Sequence, residues 1–185
     1  MRRRATVSQP EKITGHSKVR VMVYEFRQDD PKKCTSAKLR RFHLATKLWN
    51  LNRIPPLSIV LNPASSTTLS IDDRASVERH GIVALDCSWN LSADALHRRI
   101  PGENRRLPTL LAGNPTNYGT REMLSTAEAL AAALHITGFP LQSEEILSIF
   151  KWGRTFFSLN RSPLKSYSES PRDKITEREQ EYFGS

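Results

Sequence analysis

Residues 57–86 read LSIVLNPASSTTLSIDDRASVERHGIVALD. Two apolar, β-branched runs, Leu57–Leu61 and Ile82–Asp86, flank a segment with helical spacing. Asp72 stands where an N-cap is wanted and Gly81 where a left-handed residue ends a helix, so residues 72–80 are expected to form a short helix. Strands that alternate with helices imply an α/β fold with a mainly parallel sheet. In such sheets ligands bind beyond the carboxyl ends of the strands.

Upstream, Val19–Phe26 (VRVMVYEF) is a second strong strand. Residues 38–49 place Leu39, Phe42, Ala45, Leu48 and Trp49 at helical spacing, with Lys38, Arg40, Arg41 and Lys47 on the remaining face, which predicts a helix from Lys38 to Trp49. Downstream, Ser92–Arg99 reads as a helix, and Pro108 confines Leu107–Ala112 to a strand start or a sheet edge. Beyond residue 112 helices dominate. Ser125-Thr126-Ala127-Glu128 is a capping box that opens a helix running to Gly138. Ser143 is expected to cap another helix, with Ile146, Leu147, Ile149, Phe150 and Phe157 as its apolar face. Residues 162–185 are polar, at most a terminal helix. The expected organisation is a basic arm (1–17), an α/β sheet domain (18–111) and a helical domain with a charged tail (112–185).

The 185 residues carry a formal net charge of +9, which favours a polyanionic partner through counterion release. No apolar run approaches the roughly 20 residues that span a bilayer, and no apolar h-region follows the basic start, so neither a membrane span nor a secretory signal is expected. The two cysteines, Cys34 and Cys87, do not make a zinc site and read as reduced thiols. A cytoplasmic location and no bound metal are expected.

Three loops after strand ends carry candidate chemistry. Asp86-Cys87-Ser88-Trp89 sets a carboxylate at a strand end, able to take or orient a proton, beside a broad apolar wall. Cys34-Thr35-Ser36 precedes a helix, where free N–H groups hold a carboxylate as readily as they accept an ordinary cap. Residues 112–119 (AGNPTNYG) specify a tight turn whose backbone amides suit a nucleoside edge. Basic residues recur beside these loops, among them Lys38, Arg41, Arg98, Arg99, Arg105 and Arg106, and suggest a cationic rim for RNA.

Lys33–Leu39 (KCTSAKL), Asp86–Trp89 (DCSW), Arg106-Leu107-Pro108, Asn114-Pro115-x-Asn117-Tyr118-Gly119 and Leu124–Ala129 (LSTAEA) occur in this order. The ordered set resembles the ribosomal RNA aminocarboxypropyltransferases across residues 18–165. The resemblance implies a SPOUT-like, archaeal-type member: a parallel sheet with a deep trefoil knot, followed by an all-helical C-terminal domain. It also implies S-adenosylmethionine as cofactor and small-subunit ribosomal RNA, or the pre-ribosomal particle, as partner. The expected reaction moves the 3-amino-3-carboxypropyl group to N3 of a (N1-methyl)pseudouridine. By this likeness Thr35 holds the amino-acid carboxylate, and the backbones of Leu85, Leu107 and Glu122 hold ribose and adenine. Thr126 completes the pocket, Trp89 buries the sulfonium methyl, and Asp86 is the candidate catalytic group. Gly113 replaces a usual alanine, and Thr116 a common valine. A monomer is expected. The alternatives are a SPOUT-type RNA methyltransferase, which would expose a different carbon of the same cofactor, and a non-catalytic factor that binds pre-ribosomal RNA.

Overall fold

The computed structural model describes residues 18–26, 35–86 and 99–184. The basic arm, the Ser92–Arg99 helix except Arg99, and the Cys34, Cys87 and Trp89 positions lie outside the described residues. Among the described residues, five parallel strands form the sheet: β1 (Val21–Glu25), β2 (Thr46–Leu48), β3 (Ile59–Leu61), β4 (Ile82–Asp86) and β5 (Glu103–Arg105). Their order is β2-β1-β4-β3-β5. The described α-helices are α1 (Thr35–Arg41), α2 (Arg74–His80), α3 (Thr126–Ile136), α4 (Pro140–Ser148), α5 (Gly153–Leu159), α6 (Arg161–Ser168) and α7 (Arg172–Phe183).

The 57–86 unit folds as its pattern demands. β3 and β4 pair in parallel with Ile59 opposite Ile82, α2 crosses between them, and Gly81 ends α2 at φ 85°. The N-terminal cap differs from the expectation. Ser70, not Asp72, caps the turn: it accepts from the Asp72 N–H, and Asp73 completes a capping box. β4 is buried from Ile82 to Leu85 and lies between two strands, so both its faces need apolar side chains. One large cluster of buried residues covers one sheet face and runs from Val19 on to Ile175 in α7. A smaller one, with Met22, Val60, Val83 and Leu85, lies on the other face.

Three further expectations are corrected. The 38–49 segment is not one helix: α1 ends at Arg41, His43 adopts φ 57°, and the chain returns as the edge strand β2. Helical and extended spacing coincide over so short a run, and pairing of Thr46–Leu48 with β1 decides it. Trp49, expected on an apolar helix face, is 73% exposed. Ser143 does not cap α4, because Pro140 occupies the first turn; Ser143 is buried and donates to the Ala131 carbonyl at 2.6 Å. Residues 161–183 form two helices, which bury Leu164, Tyr167 and Ile175.

Leu107–Ala112 is extended but is not a strand of the main sheet. Its backbone is paired instead by side chains from the last helices. The Asn160 amide accepts from the Leu111 N–H and donates to the Leu111 carbonyl, both at 2.8 Å. Glu179 accepts from the Thr109 N–H at 2.7 Å, and the buried Tyr167 hydroxyl donates to the Thr109 carbonyl at 3.1 Å. Burial drives the Tyr167 pKa strongly upward, which keeps that donor protonated. On its other side the segment pairs with residues 119–122, through Gly119 N–H to Ala112 O, Ala112 N–H to Thr120 O and Glu122 N–H to Leu110 O.

α3 is the central helix. It packs against β4, α1, α4 and α6, and Ala127, Leu130, Ala131, Ala132, Ala133, Leu134 and Ile136 are all fully buried. A helix surrounded on all sides needs small and apolar residues all round, and its alanines let its neighbours approach closely.

Candidate functional site

The predicted capping box forms as expected, with Ser125 accepting from the Glu128 N–H and Glu128 accepting from the Ser125 N–H. It opens α3 at the carboxyl end of β4, and three consecutive residues of that first turn join three separate segments. The Thr126 hydroxyl donates to Asp86 Oδ1 at 2.5 Å, which ties α3 to the end of β4. The Ala127 N–H donates to Thr35 Oγ1 at 3.3 Å, which ties it to the start of α1. Glu128 accepts from the backbone N–H groups of Gly113 and Asn114, at 2.7 and 3.0 Å, and from Asn114 Nδ2 at 2.7 Å, which fixes the 112–119 loop. The loop is braced from within, because Asn114 Oδ1 accepts from the N–H groups of Thr116 and Asn117, both at 3.1 Å. Gly113 has a local reason: an added Cβ would lie 2.6 Å from the Phe156 backbone nitrogen.

A second layer holds Asp86. The buried Ser36 hydroxyl lies 2.6 Å from Asp86 Oδ2 and 3.1 Å from Glu25 Oε1. Glu25 is neighbour to Asp86 across the β1–β4 ladder and is paired with Lys47 at 2.5 Å and Arg40 at 2.9 Å. Burial works to raise the Glu25 pKa, but the Lys47 and Ser36 hydrogen bonds and the two cations outweigh it, so the carboxyl is held below its usual value. Composition and spacing gave no sign of this Glu25–Lys47–Ser36 support. It arises because parallel pairing brings the strand ends together.

Leu85 is buried next to Asp86, and the β3 ladder ends opposite Ala84. The next turn of the β3 chain holds Pro63, which has no N–H to offer, so the Leu85 carbonyl lies past the end of that ladder. Glu122 is exposed and takes φ 62°, and its carboxylate accepts from the Thr109 hydroxyl at 2.9 Å. A non-glycine residue held in this region marks a backbone fixed by its surroundings. Leu107 is half-buried, next to Arg106. Arg106 and Glu179 form a bidentate pair with both contacts at 3.1 Å. Burial opposes ionisation of Glu179, and the Arg106 and Thr109 hydrogen bonds prevail to lower its pKa; Glu179 in turn raises that of Arg106.

The cations expected to face RNA differ in their surroundings. Arg105 is committed to Asp73 at 3.0 Å and Glu103 at 2.7 Å, and Arg106 to Glu179. Lys38 donates to the Ile149 carbonyl at 2.6 Å and lies over the Phe150 ring. Arg41 and Arg99 are exposed, and Arg98 lies outside the described residues. No described helix is long and apolar enough to cross a membrane, and no described group of three or more His, Cys, Asp or Glu could hold a metal.

Residues 59–183 match a family described as "Ribosome biogenesis protein, C-terminal". Residues 19–48 match one described as "Possible Fer4-like domain in RNase L inhibitor". That segment contains a single cysteine, Cys34, so it lacks the donors of a four-cysteine cluster. The 16S rRNA aminocarboxypropyltransferase of Methanobrevibacter smithii is 41% identical over 166 residues, covering 89% of this chain and 97% of that protein. The enzyme of the same name from Thermoplasma acidophilum is 45% identical over 161 residues, covering 85% and 94%. Among solved structures, the SAM-dependent rRNA:acp-transferase Tsr3 from Vulcanisaeta distributa superposes with a TM-score of 0.82 at 40% identity, covering 90% of this chain and 89% of that one.

Proposed function

Since the chain belongs to the family of the 16S rRNA aminocarboxypropyltransferases, we propose that it transfers the 3-amino-3-carboxypropyl group of S-adenosylmethionine to N3 of a (N1-methyl)pseudouridine in small-subunit ribosomal RNA. The observation that carries this reading is the convergence of Thr35, Asp86 and Thr126 at the carboxyl end of the central strand, with the 112–119 loop held to the same helical turn by Glu128. It acts as a monomer in the cytoplasm, with the SPOUT-like knot of its family.

The residues present suit the cofactor. The Thr35 oxygen accepts from Ala127, which leaves its hydrogen to donate to the amino-acid carboxylate. The Leu85 carbonyl and the Leu107 and Glu122 backbones hold ribose and adenine, and Thr126 closes the pocket. Bound there, S-adenosylmethionine supplies a sulfonium electrophile with three attached carbons. Trp89, outside the described residues, is proposed to bury the methyl, so that the aminocarboxypropyl carbon is the one N3 reaches. A bond forms from N3 to that carbon, the carbon–sulfur bond breaks, and methylthioadenosine leaves. Asp86, with Ser36 and Thr126 aligned on its two oxygens, is the candidate to receive the N3 proton or to orient the amino group. Arg41 and Arg99 are proposed to contact RNA phosphates, with Arg98; Lys38, Arg105 and Arg106 support the rim from within.

Mass analysis of nucleosides digested from unmodified small-subunit RNA after incubation tests this reading. Gain of an aminocarboxypropyl group on one pseudouridine supports it, and gain of a methyl group alone overturns it. An Asp86→Asn enzyme with full turnover would remove Asp86 from the chemistry.

A further inference from the structure

Tryptophan is among the side chains that gain most from burial, yet Trp49 is 73% exposed. Its position is fixed on both sides. β2 ends at Leu48, opposite Tyr24, and Asn50 caps the following 3-10 turn by accepting from the Asn52 N–H at 2.9 Å. Continuing the register puts Trp49 level with Glu25, which is itself level with Asp86. Lys47 reaches Glu25 on the sheet face that also carries Ser36 and Asp86, and Trp49 follows on that face. At ~4.8 Å between strands, the Trp49 backbone lies about 10 Å from that of Asp86.

One side of the indole is covered by a cation: Lys47 Nζ lies 4.5 Å from the ring centroid and is anchored at 2.5 Å by Glu25. An exposed aromatic ring backed by an immobilised ammonium is a prepared stacking surface, because little side-chain freedom remains to be lost on binding. Its level with Asp86 and the chain's charge of +9 favour RNA over an apolar protein segment as the occupant.

We propose that Trp49 stacks an unpaired base of the RNA strand that carries the target nucleotide. The ~10 Å offset corresponds to a base one to three positions away, at the ~3.4 Å rise of stacked nucleotides or the wider spacing of splayed ones. The inference rests on the RNA-modifying reading above, and direct binding tests it apart from transfer.

The experiment is equilibrium binding of unmodified small-subunit RNA to wild type, Trp49→Ala and Trp49→Phe as a function of salt, beside S-adenosylmethionine affinity and melting temperature. Trp49→Ala should weaken RNA binding roughly 5- to 150-fold, the range expected for loss of one base–aromatic stack. The dependence on salt should keep its slope, because no phosphate contact is removed. Cofactor affinity and melting temperature should not move, and Trp49→Phe should recover most of the loss. Equal RNA affinity in wild type and Trp49→Ala overturns the stacking role, even if transfer proceeds. RNA binding that depends on Trp49 without any transfer would keep this role and sink the proposed reaction.

Discussion

Replacing Glu128 by glutamine changes one oxygen to an amide nitrogen at a fully buried position. All five partners of that carboxylate donate: Gly113 and Asn114 N–H to one oxygen, and Asn114 Nδ2, Ser125 N–H and Ser125 Oγ to the other. Glutamine offers one acceptor oxygen and an NH2 that can only donate. If the NH2 faces Gly113 and Asn114, two backbone donors lose their acceptor. If it faces the other way, the Ser125 hydroxyl can turn to accept, but the Ser125 N–H cannot. Asn114 cannot flip without releasing Thr116 and Asn117. At about 1–3 kcal/mol for each of the two donors left unsatisfied in either orientation, Glu128→Gln should cost about 2–6 kcal/mol, a large part of the ~5–15 kcal/mol that holds a domain folded. Urea unfolding followed by far-UV circular dichroism measures the loss, and hydrogen exchange at the Gly113 and Asn114 amides locates it. A variant within about 0.5 kcal/mol of wild type, with both amides still protected, would refute the reasoning.

Gly113→Ala should cost about 1–3 kcal/mol, because its Cβ would meet the Phe156 backbone at 2.6–2.7 Å; an unchanged melting temperature would contradict this packing. Glu179→Gln weakens the grip of α7 on Arg106 and Thr109 and should cost about 1.5–3 kcal/mol at neutral pH. The folded Glu179 pKa lies below 4.5, so the unfolded chain takes up the proton first. Its stabilisation is therefore complete above that value and lost as pH falls through the folded pKa, and the gap between wild type and Glu179→Gln should close in acid melts. Burial lowers the His135 pKa below 6.5, and Nδ1 has no hydrogen-bond partner among the described residues. Stability should therefore fall as pH drops below 6.5, and His135→Leu should abolish that slope without loss of stability at higher pH; a slope that persists assigns it elsewhere.

The βαβ unit at 57–86 was legible because burial on both faces forces continuous apolar runs, and its strand β4 falls at Ile82–Asp86 as read. The capping box at Ser125 was legible for a local reason, since its two reciprocal bonds need only residues three apart. What the sequence hid depends on partners distant along the chain. Leu107–Ala112 looked like an edge strand because nothing local shows that Asn160, Tyr167 and Glu179 will supply its hydrogen bonds. Thr46–Leu48 read as helix until β1 became available as a neighbour. Asp86 and Thr126 could be named separately, but their 2.5 Å contact and the Glu25–Ser36 support behind it follow only from the parallel register.

The most direct measurement is a dual-label transfer assay. Unmodified small-subunit RNA is incubated with the protein and S-adenosylmethionine labelled either on the carboxyl carbon or on the methyl group. The account predicts carboxyl label in the RNA and methyl label released in methylthioadenosine. Methyl label in the RNA would contradict it and make the protein a methyltransferase, and transfer of neither label to a competent substrate would leave an RNA-binding factor.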